Sequence, residues 1–263
     1  MAKQVEKASI SIFLDPNKVV YFASDQHFGA PNRKESLTRE KVFLTFLDQI
    51  EKDAQCLFLM GDLFDFWYEY KTVVPKGFVK ILAKLSILIE KGIPIYFFPG
   101  NHDMWIKDYF QKEIGMTTIE GSQRFEIAGK TFLLAHGDGL GPDDKNYKRM
   151  KKVFQSPFFR WLFSWLHPDL GIPLGNYLSR ENKMISGEED AKFLGQDKEW
   201  LVQYCKRKLS ENHYDYFVFG HRHLPLEIEL GNSKYINLGD WIKYYTYATF
   251  SLEKGISLKT FQK

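Results

Sequence analysis

The chain has only two cysteines among its 263 residues, Cys56 and Cys205. One opens an apolar run and the other sits in a charged, helix-like stretch, so no disulfide framework is expected and a reducing compartment is the natural setting. No uninterrupted apolar run reaches the roughly 18 residues that a membrane-spanning helix needs. The first residues carry lysines, lack an apolar core and are interrupted by Asp15, so no secretory signal is expected and the location is read as cytoplasmic. Internal repeats and low-complexity tracts are missing, which excludes solenoids and linker-like chains. Large net charge is missing too: 36 basic against 33 acidic residues leave +3.

What the chain does have is apolar material, 44% of its residues, and many aromatics, 16%. That is enough for a substantial core, and one domain spanning residues 1–263 is expected. The basic charge is unevenly spread. Residues 145–168 hold Lys145, Lys148, Arg149, Lys151, Lys152 and Arg160 and no acid. A basic segment on a slightly acidic body suits an anionic partner, whether phosphate groups, acidic lipid or nucleic acid, although a solvated helix face produces the same pattern and is the commoner source of a charge run alone.

Short apolar runs at 19–23, 56–60, 93–98, 131–135 and 216–219 read as strands of a sheet buried on both faces. Between the first two, Phe43, Phe46, Leu47 and Ile50 have helical spacing, and Phe78, Ile81, Leu82 and Leu85 repeat it before Gly92 stops the helix. The first hundred residues therefore read βαβαβ. Later segments look antiparallel: a hairpin around Gly129-Lys130 and another around Gly231-Asn232. The expectation is an α/β protein in four layers, α/β/β/α, with two mixed sheets packed together. Residues 145–195 fit neither pattern. They interleave aromatics with the basic residues, and Pro157, Pro168 and Pro173 are expected to break them into short helices, a lid packed over the body.

Five polar motifs follow the apolar runs: Asp25-Gln26-His27, Gly61-Asp62-Leu63-Phe64-Asp65, Gly100-Asn101-His102-Asp103, His136-Gly137-Asp138 and Gly220-His221-Arg222-His223. They carry five of the seven histidines. In open α/β sheets ligands gather where strands end, so these motifs should meet at one rim. Asp25 and His27 are two apart, as are His221 and His223, and in extended backbone each pair would point one way. Carboxylate, imidazole and carboxamide without thiolate suit divalent ions such as Mn²⁺, Fe²⁺ or Zn²⁺. Two such ions ~3.5–4 Å apart clamp the attacking and leaving oxygens of a phosphoryl displacement and lower the pKa of a bound water to roughly 7. Asp62 is the candidate bridging carboxylate. His102 is the candidate acid for the leaving oxygen, and Asp65 is placed to orient its imidazole.

These motifs resemble those of the calcineurin-like metallophosphoesterase superfamily over nearly the whole chain. The resemblance implies Asp25, His27, Asp62 and His223 on one metal, and Asp62, Asn101, His136 and His221 on the other. Within the superfamily the chain is most similar to the UDP-2,3-diacylglucosamine diphosphatases of lipid A synthesis, through Gly61-Asp62-Leu63-Phe64-Asp65-Phe66-Trp67, His136-Gly137-Asp138-Gly139-Leu140 followed by Asp143-Asp144 and Tyr147, and Leu238-Gly239-Asp240-Trp241. That similarity implies hydrolysis of the pyrophosphate of UDP-2,3-diacylglucosamine to UMP and a lipid monophosphate, usually with Mn²⁺. It also implies a lipid-linked UDP-sugar as partner and peripheral association with the inner membrane surface, with no nucleic acid and no obligate protein partner. One position departs: members of that family carry Arg where this chain has His102, which follows the wider superfamily pattern.

The substrate contacts expected are Asn101, His102, Asp144, Tyr147, Arg180 and His221, Arg180 by approximate placement alone. A lid offering cations beside apolar side chains suits a substrate with acyl chains, each buried methylene being worth ~0.8 kcal/mol. The same aromatics equally describe a small core of their own. Asp103, Asp138 and Asp240 read as loop-holding residues, Asp143 as a helix cap, and His167 and His213 as uninvolved. Two other functions stay open: another metallophosphoesterase activity (nucleotide phosphodiesterase, nuclease or phosphatase) and a non-catalytic scaffold on the same fold. Intact Asp62, Asn101 and His102 argue against the scaffold.

Overall fold

A computed structural model describes residues 8–141, 145–190, 193 and 195–262, without the side chains of 145–147, 150 and 180–190. In chain order the elements are β1 (Ile10–Ile12), β2 (Val19–Ala23), α1 (Arg33–Ile50), β3 (Ala54–Leu59), α2 (Val79–Glu90), β4 (Ile95–Phe97), a π-helical turn (Phe110–Ile114), β5 (Thr117–Thr118), β6 (Gln123–Ile127) and β7 (Lys130–Leu134). Next come α3 (Lys145–Phe154), α4 (Pro157–Ser164), α5 (Pro168–Asp190), α6 (Trp200–Glu211), β8 (Tyr216–Phe219), β9 (Pro225–Leu230), β10 (Ser233–Leu238), β11 (Thr246–Ser251) and β12 (Gly255–Thr260).

The strands form two six-stranded mixed sheets, ordered β12-β11-β2-β3-β4-β5 and β1-β6-β7-β8-β10-β9. Strands β2 to β5 run parallel, with β11 antiparallel to β2. In the other sheet β7, β8 and β10 are parallel. Val20, Phe22, Phe58, Phe125, Phe132 and Ile236 fill the space between the sheets. On the outer face of the first sheet, Phe43, Phe46 and Leu47 of α1 and Ile81 and Leu85 of α2 pack against Leu57 and Phe97. On the outer face of the second, Leu201, Val202 and Cys205 of α6 pack against Phe217 and Phe219. The four expected layers are present, and every apolar helix stripe read from spacing faces a sheet because a helix must bury that stripe somewhere. Both cysteines are buried free thiols.

The insertion departs from expectation in one respect. Pro157 and Pro168 begin α4 and α5, where a missing N–H has no helical partner to lose, but Pro173 does not end a helix: it lies inside α5, which is 23 residues long. Only one hydrogen bond near the helix start is lost there. Among the described residues no helix is long and apolar enough to cross a membrane.

Candidate metal centre

Because β2, β3 and β4 are parallel, their C-terminal ends deliver Asp25, Asp62 and Asn101 to one rim, and parallel β7 and β8 deliver His136 and His221 to the same place from the other sheet. The connections there are not extended. Asp25 (φ 58°), His27 (φ 45°), Asp62 (φ 52°), His221 (φ 69°) and His223 (φ 50°) all adopt left-handed backbone. The expectation that Asp25 and His27, or His221 and His223, converge through extended chain is therefore corrected: each pair converges through a tight loop. Non-glycine residues in this region cost of order 1–3 kcal/mol each, and such strain persists where surrounding structure over-determines it.

That structure is identifiable. Buried Arg39 donates to the carbonyls of Gln26 (2.7 Å), His27 (2.6 Å) and Ala30 (2.6 Å) and so clamps the first loop. Arg222 binds Glu199 through Nε (3.0 Å) and a terminal nitrogen (3.2 Å), holding the last loop to α6. Asp103 accepts N–H groups from Gly100 (2.7 Å) and Leu63 (2.8 Å), tying the third loop to the second. Glycine is required beside the ligands: a Cβ at Gly61 (φ +100°) would overlap the His136 ring, and one at Gly220 would overlap the Ser24 hydroxyl.

Each central carboxylate has one oxygen fixed by backbone and one aimed inward. Asp25 Oδ2 accepts the N–H of His221 (3.0 Å) and Asp62 Oδ1 that of His102 (2.9 Å). Asp25 Oδ1 and Asp62 Oδ2 are buried without a hydrogen-bond partner. Around them stand imidazole nitrogens. His223 Nε2 lies 3.4 Å and His27 Nε2 3.8 Å from Asp25 Oδ1, while His27 Nε2 (3.6 Å) and His136 Nε2 (3.4 Å) flank Asp62 Oδ2. Asp62 thus belongs to two donor sets, one with Asp25, His27 and His223 and one with His136 and His221. Asn101 Oδ1 lies 3.2 Å from His136 Nε2.

Acceptors stand behind the outward nitrogens, with hydrogen bonds at His136 and His223. His136 Nδ1 donates to the carbonyl of Met60 (2.7 Å), His223 Nδ1 faces Asp240 Oδ2 (3.3 Å), and His27 Nδ1 faces Asp65 Oδ1 (3.3 Å). An Nδ1–H leaves a lone pair on Nε2. Lone pairs then converge on one another, as His27 Nε2 and His223 Nε2 show at 3.3 Å. The carboxylates make the field inside the cluster strongly negative. Burial disfavours ionised Asp62, yet His136 and His102 hold its pKa well below the usual range. Burial likewise disfavours charged His136, and the Asp62 carboxylate still pushes it up to about 10. Burial and the neighbouring His136 push His221 down to about 4. Buried acceptors without donors, in a field calling for positive charge, fit divalent cations, and the oxygen-and-nitrogen donor set suits Mn²⁺-, Fe²⁺- or Zn²⁺-type ions.

Asp65 departs from the role expected of it. Its carboxylate is nearer His27 Nδ1 than His102 Nδ1 (3.8 Å). His102 Nδ1 instead meets the Asp65 carbonyl (3.0 Å) and the Ser179 hydroxyl (2.6 Å) from α5. Asp240 does more than hold a loop: Oδ1 accepts N–H groups of Ile242, Lys243 and Tyr244 while Oδ2 faces His223. Asp138 pairs with Lys151 of α3 and so ties the insertion to the body. Sequence reasoning missed Ser179, Arg39 and Glu199, which belong to no motif. His167 and His213 are exposed, away from the cluster. Asp143 and Asp144 lie outside the described residues, as do the side chains of Tyr147 and Arg180.

The sequence model of the calcineurin-like phosphoesterase family matches residues 19–225, which contain all five motifs. The chain belongs to that family. It is accordingly a metal-dependent phosphoric ester hydrolase by class. A curated relative from Porphyromonas gingivalis, named UDP-2,3-diacylglucosamine hydrolase, is 36% identical over 246 residues, covering 88% of this chain and 93% of its own. Two relatives of the same name, from Shewanella piezotolerans and Shewanella sp. MR-4, are 28% and 29% identical, with 84% and 91% of this chain covered and 89% and 96% of theirs.

Proposed function

We propose that this phosphoesterase hydrolyses the pyrophosphate of UDP-2,3-diacylglucosamine, releasing UMP and 2,3-diacylglucosamine 1-phosphate, in lipid A synthesis. The observation that carries the reading is the near full-length similarity to hydrolases of that name, at 36% identity for the Porphyromonas relative. In this reading Asp25, His27, Asp62 and His223 hold one divalent ion, and Asp62, Asn101, His136 and His221 the second, with Mn²⁺ as the metal. Bound there, two ions supply Lewis acidity and an activated water for in-line displacement. The chain's own residues do the rest. The fixed carboxylate oxygens and Nδ1–H hydrogen bonds hold the donor set rigid, Asn101 and His221 border the phosphate, and His102 gives a proton to the leaving oxygen. Asp144, Tyr147 and Arg180 remain the proposed head-group contacts.

The insertion supports a lipid substrate. Of its aromatics, Phe163 is buried against Tyr68 and Trp105. Phe158 is 64% and Trp165 74% exposed, with Trp161, Leu170 and Tyr177 more than half exposed as well. A self-contained small core would bury these side chains. Exposed Arg149 and Lys152 stand on neighbouring α3. Part of the basic excess is already spent on docking, since Lys151 pairs with Asp138 and Lys148 donates to the Gly141 carbonyl (2.5 Å). Apolar side chains beside remaining cations suit peripheral attachment at the cytoplasmic face of the inner membrane.

The test is hydrolysis of UDP-2,3-diacylglucosamine in detergent with Mn²⁺, beside bis-p-nitrophenyl phosphate. Efficient cleavage to UMP supports the reading. Cleavage of the small diester alone would overturn the lipid substrate and leave the phosphoesterase chemistry standing.

A further inference from the structure

Helix α5 lies on the loop that follows Asp65 through one small-residue face. At Gly171 an added Cβ would overlap the Tyr70 hydroxyl, and at Gly175 it would overlap the Phe66 ring. One turn further, on the same face, stands Ser179, 9% exposed. Its hydroxyl donates to the Asp65 carbonyl (2.7 Å) and sits 2.6 Å from His102 Nδ1, which is 3.0 Å from the same carbonyl. A carbonyl only accepts, and a hydroxyl has one proton to give. With that proton directed to Asp65, Ser179 Oγ receives a hydrogen bond from His102, so Nδ1 carries hydrogen. The tautomer is thereby set, and Nε2 is the nitrogen available for proton exchange.

The insertion is anchored around this contact. Tyr68 donates to the Arg160 carbonyl (2.7 Å), Trp105 Nε1 to the Phe154 carbonyl (2.8 Å), and Arg160 to the Ile106 carbonyl (3.2 Å). The same docking therefore completes the hydrogen bonding of His102.

We infer that Ser179 is a positioning residue for leaving-group protonation: from the helical insertion it holds His102 in the Nδ1–H form and couples that acid to the seating of α5. The inference rests on the proposed role of His102. As the phosphorus–oxygen bond breaks, its electron pair stays on the leaving oxygen, which takes the proton from Nε2 of the imidazolium. The neutral Nδ1–H tautomer left behind is the one that Ser179 Oγ and the Asp65 carbonyl accept from, so the ring need not turn between cycles.

The experiment compares Ser179→Ala, His102→Ala and the double variant in the Mn²⁺-loaded full chain, on a phosphodiester with a nitrophenolate leaving group and one with an alkoxide leaving group. Loss of one hydrogen bond predicts that Ser179→Ala lowers kcat on the alkoxide ester on the order of two- to tenfold. A smaller loss on the nitrophenyl ester, unchanged metal content and no further loss in the His102→Ala background complete the expected result. Equal slowing of both esters, or the same added loss when His102 is already gone, would show Ser179 to be merely structural. If His102→Ala discriminates between leaving groups and Ser179→Ala does not, the positioning role alone is overturned. If His102→Ala does not discriminate, the acid assignment falls first.

Discussion

The backbone N–H of His221 donates to Asp25 Oδ2 at 3.0 Å, joining the last of the five polar loops to the first across 196 positions of sequence. It leaves Asp25 Oδ1 turned inward without a hydrogen bond. His102 and Asp62 repeat the arrangement at 2.9 Å. Each carboxylate is thus aimed by the loop that carries another proposed ligand, so the donor set assembles as a unit.

His136→Ala should abolish turnover and lower bound metal, since it removes a nitrogen facing Asp62. Metal content by elemental analysis, measured beside diesterase activity, checks this. Near-normal turnover at full metal content would reject the ligand assignment.

Asp240→Asn separates loop structure from metal chemistry. The amide keeps an oxygen for the N–H groups of Ile242, Lys243 and Tyr244 and turns an NH₂ toward His223 Nδ1. Loss of such an outer partner typically weakens metal affinity by roughly 10–100-fold. Titration with Mn²⁺ at unchanged thermal stability of the loaded protein is the measurement, and an unaltered affinity would contradict the role.

Arg39→Lys keeps the charge and loses the fork that binds three carbonyls. A lost hydrogen bond to a charged group costs roughly 1.5–3 kcal/mol. Denaturant unfolding of the metal-free protein should show a decrease of at least that order, with the Asp25–His27 loop poorly set for binding. A change within experimental error would mean that the loop is held by other contacts.

Replacing Trp161 and Trp165 by Ser should weaken binding to vesicles of anionic lipid while leaving hydrolysis of a small soluble diester within about twofold, because exposed surface substitutions cost little stability. Vesicle co-sedimentation reads the first effect. Equal losses in both assays would place these side chains in the fold rather than at a lipid surface.

Much of this protein was written in its sequence. Apolar runs at 19–23 and 216–219 became β2 and β8 because buried parallel strands need continuous apolar residues, and Gly231-Asn232 became the β9–β10 turn because it accommodates positive φ. The five motifs were legible because strand order delivers strand ends to one rim whatever the loops do in detail. Tertiary structure alone decided the rest. The left-handed backbone at Asp25, Asp62 and His221 lies in loops held by distant partners such as Arg39, Asp103 and Arg222. The partners of His27, His223 and His102 (Asp65, Asp240 and Ser179) lie 38, 17 and 77 positions away, on loops and a helix whose approach no periodicity encodes. Residue types alone determine which atoms can bind and transfer protons; only packing decides which nitrogen of each imidazole faces the cluster, because that depends on what stands behind the ring.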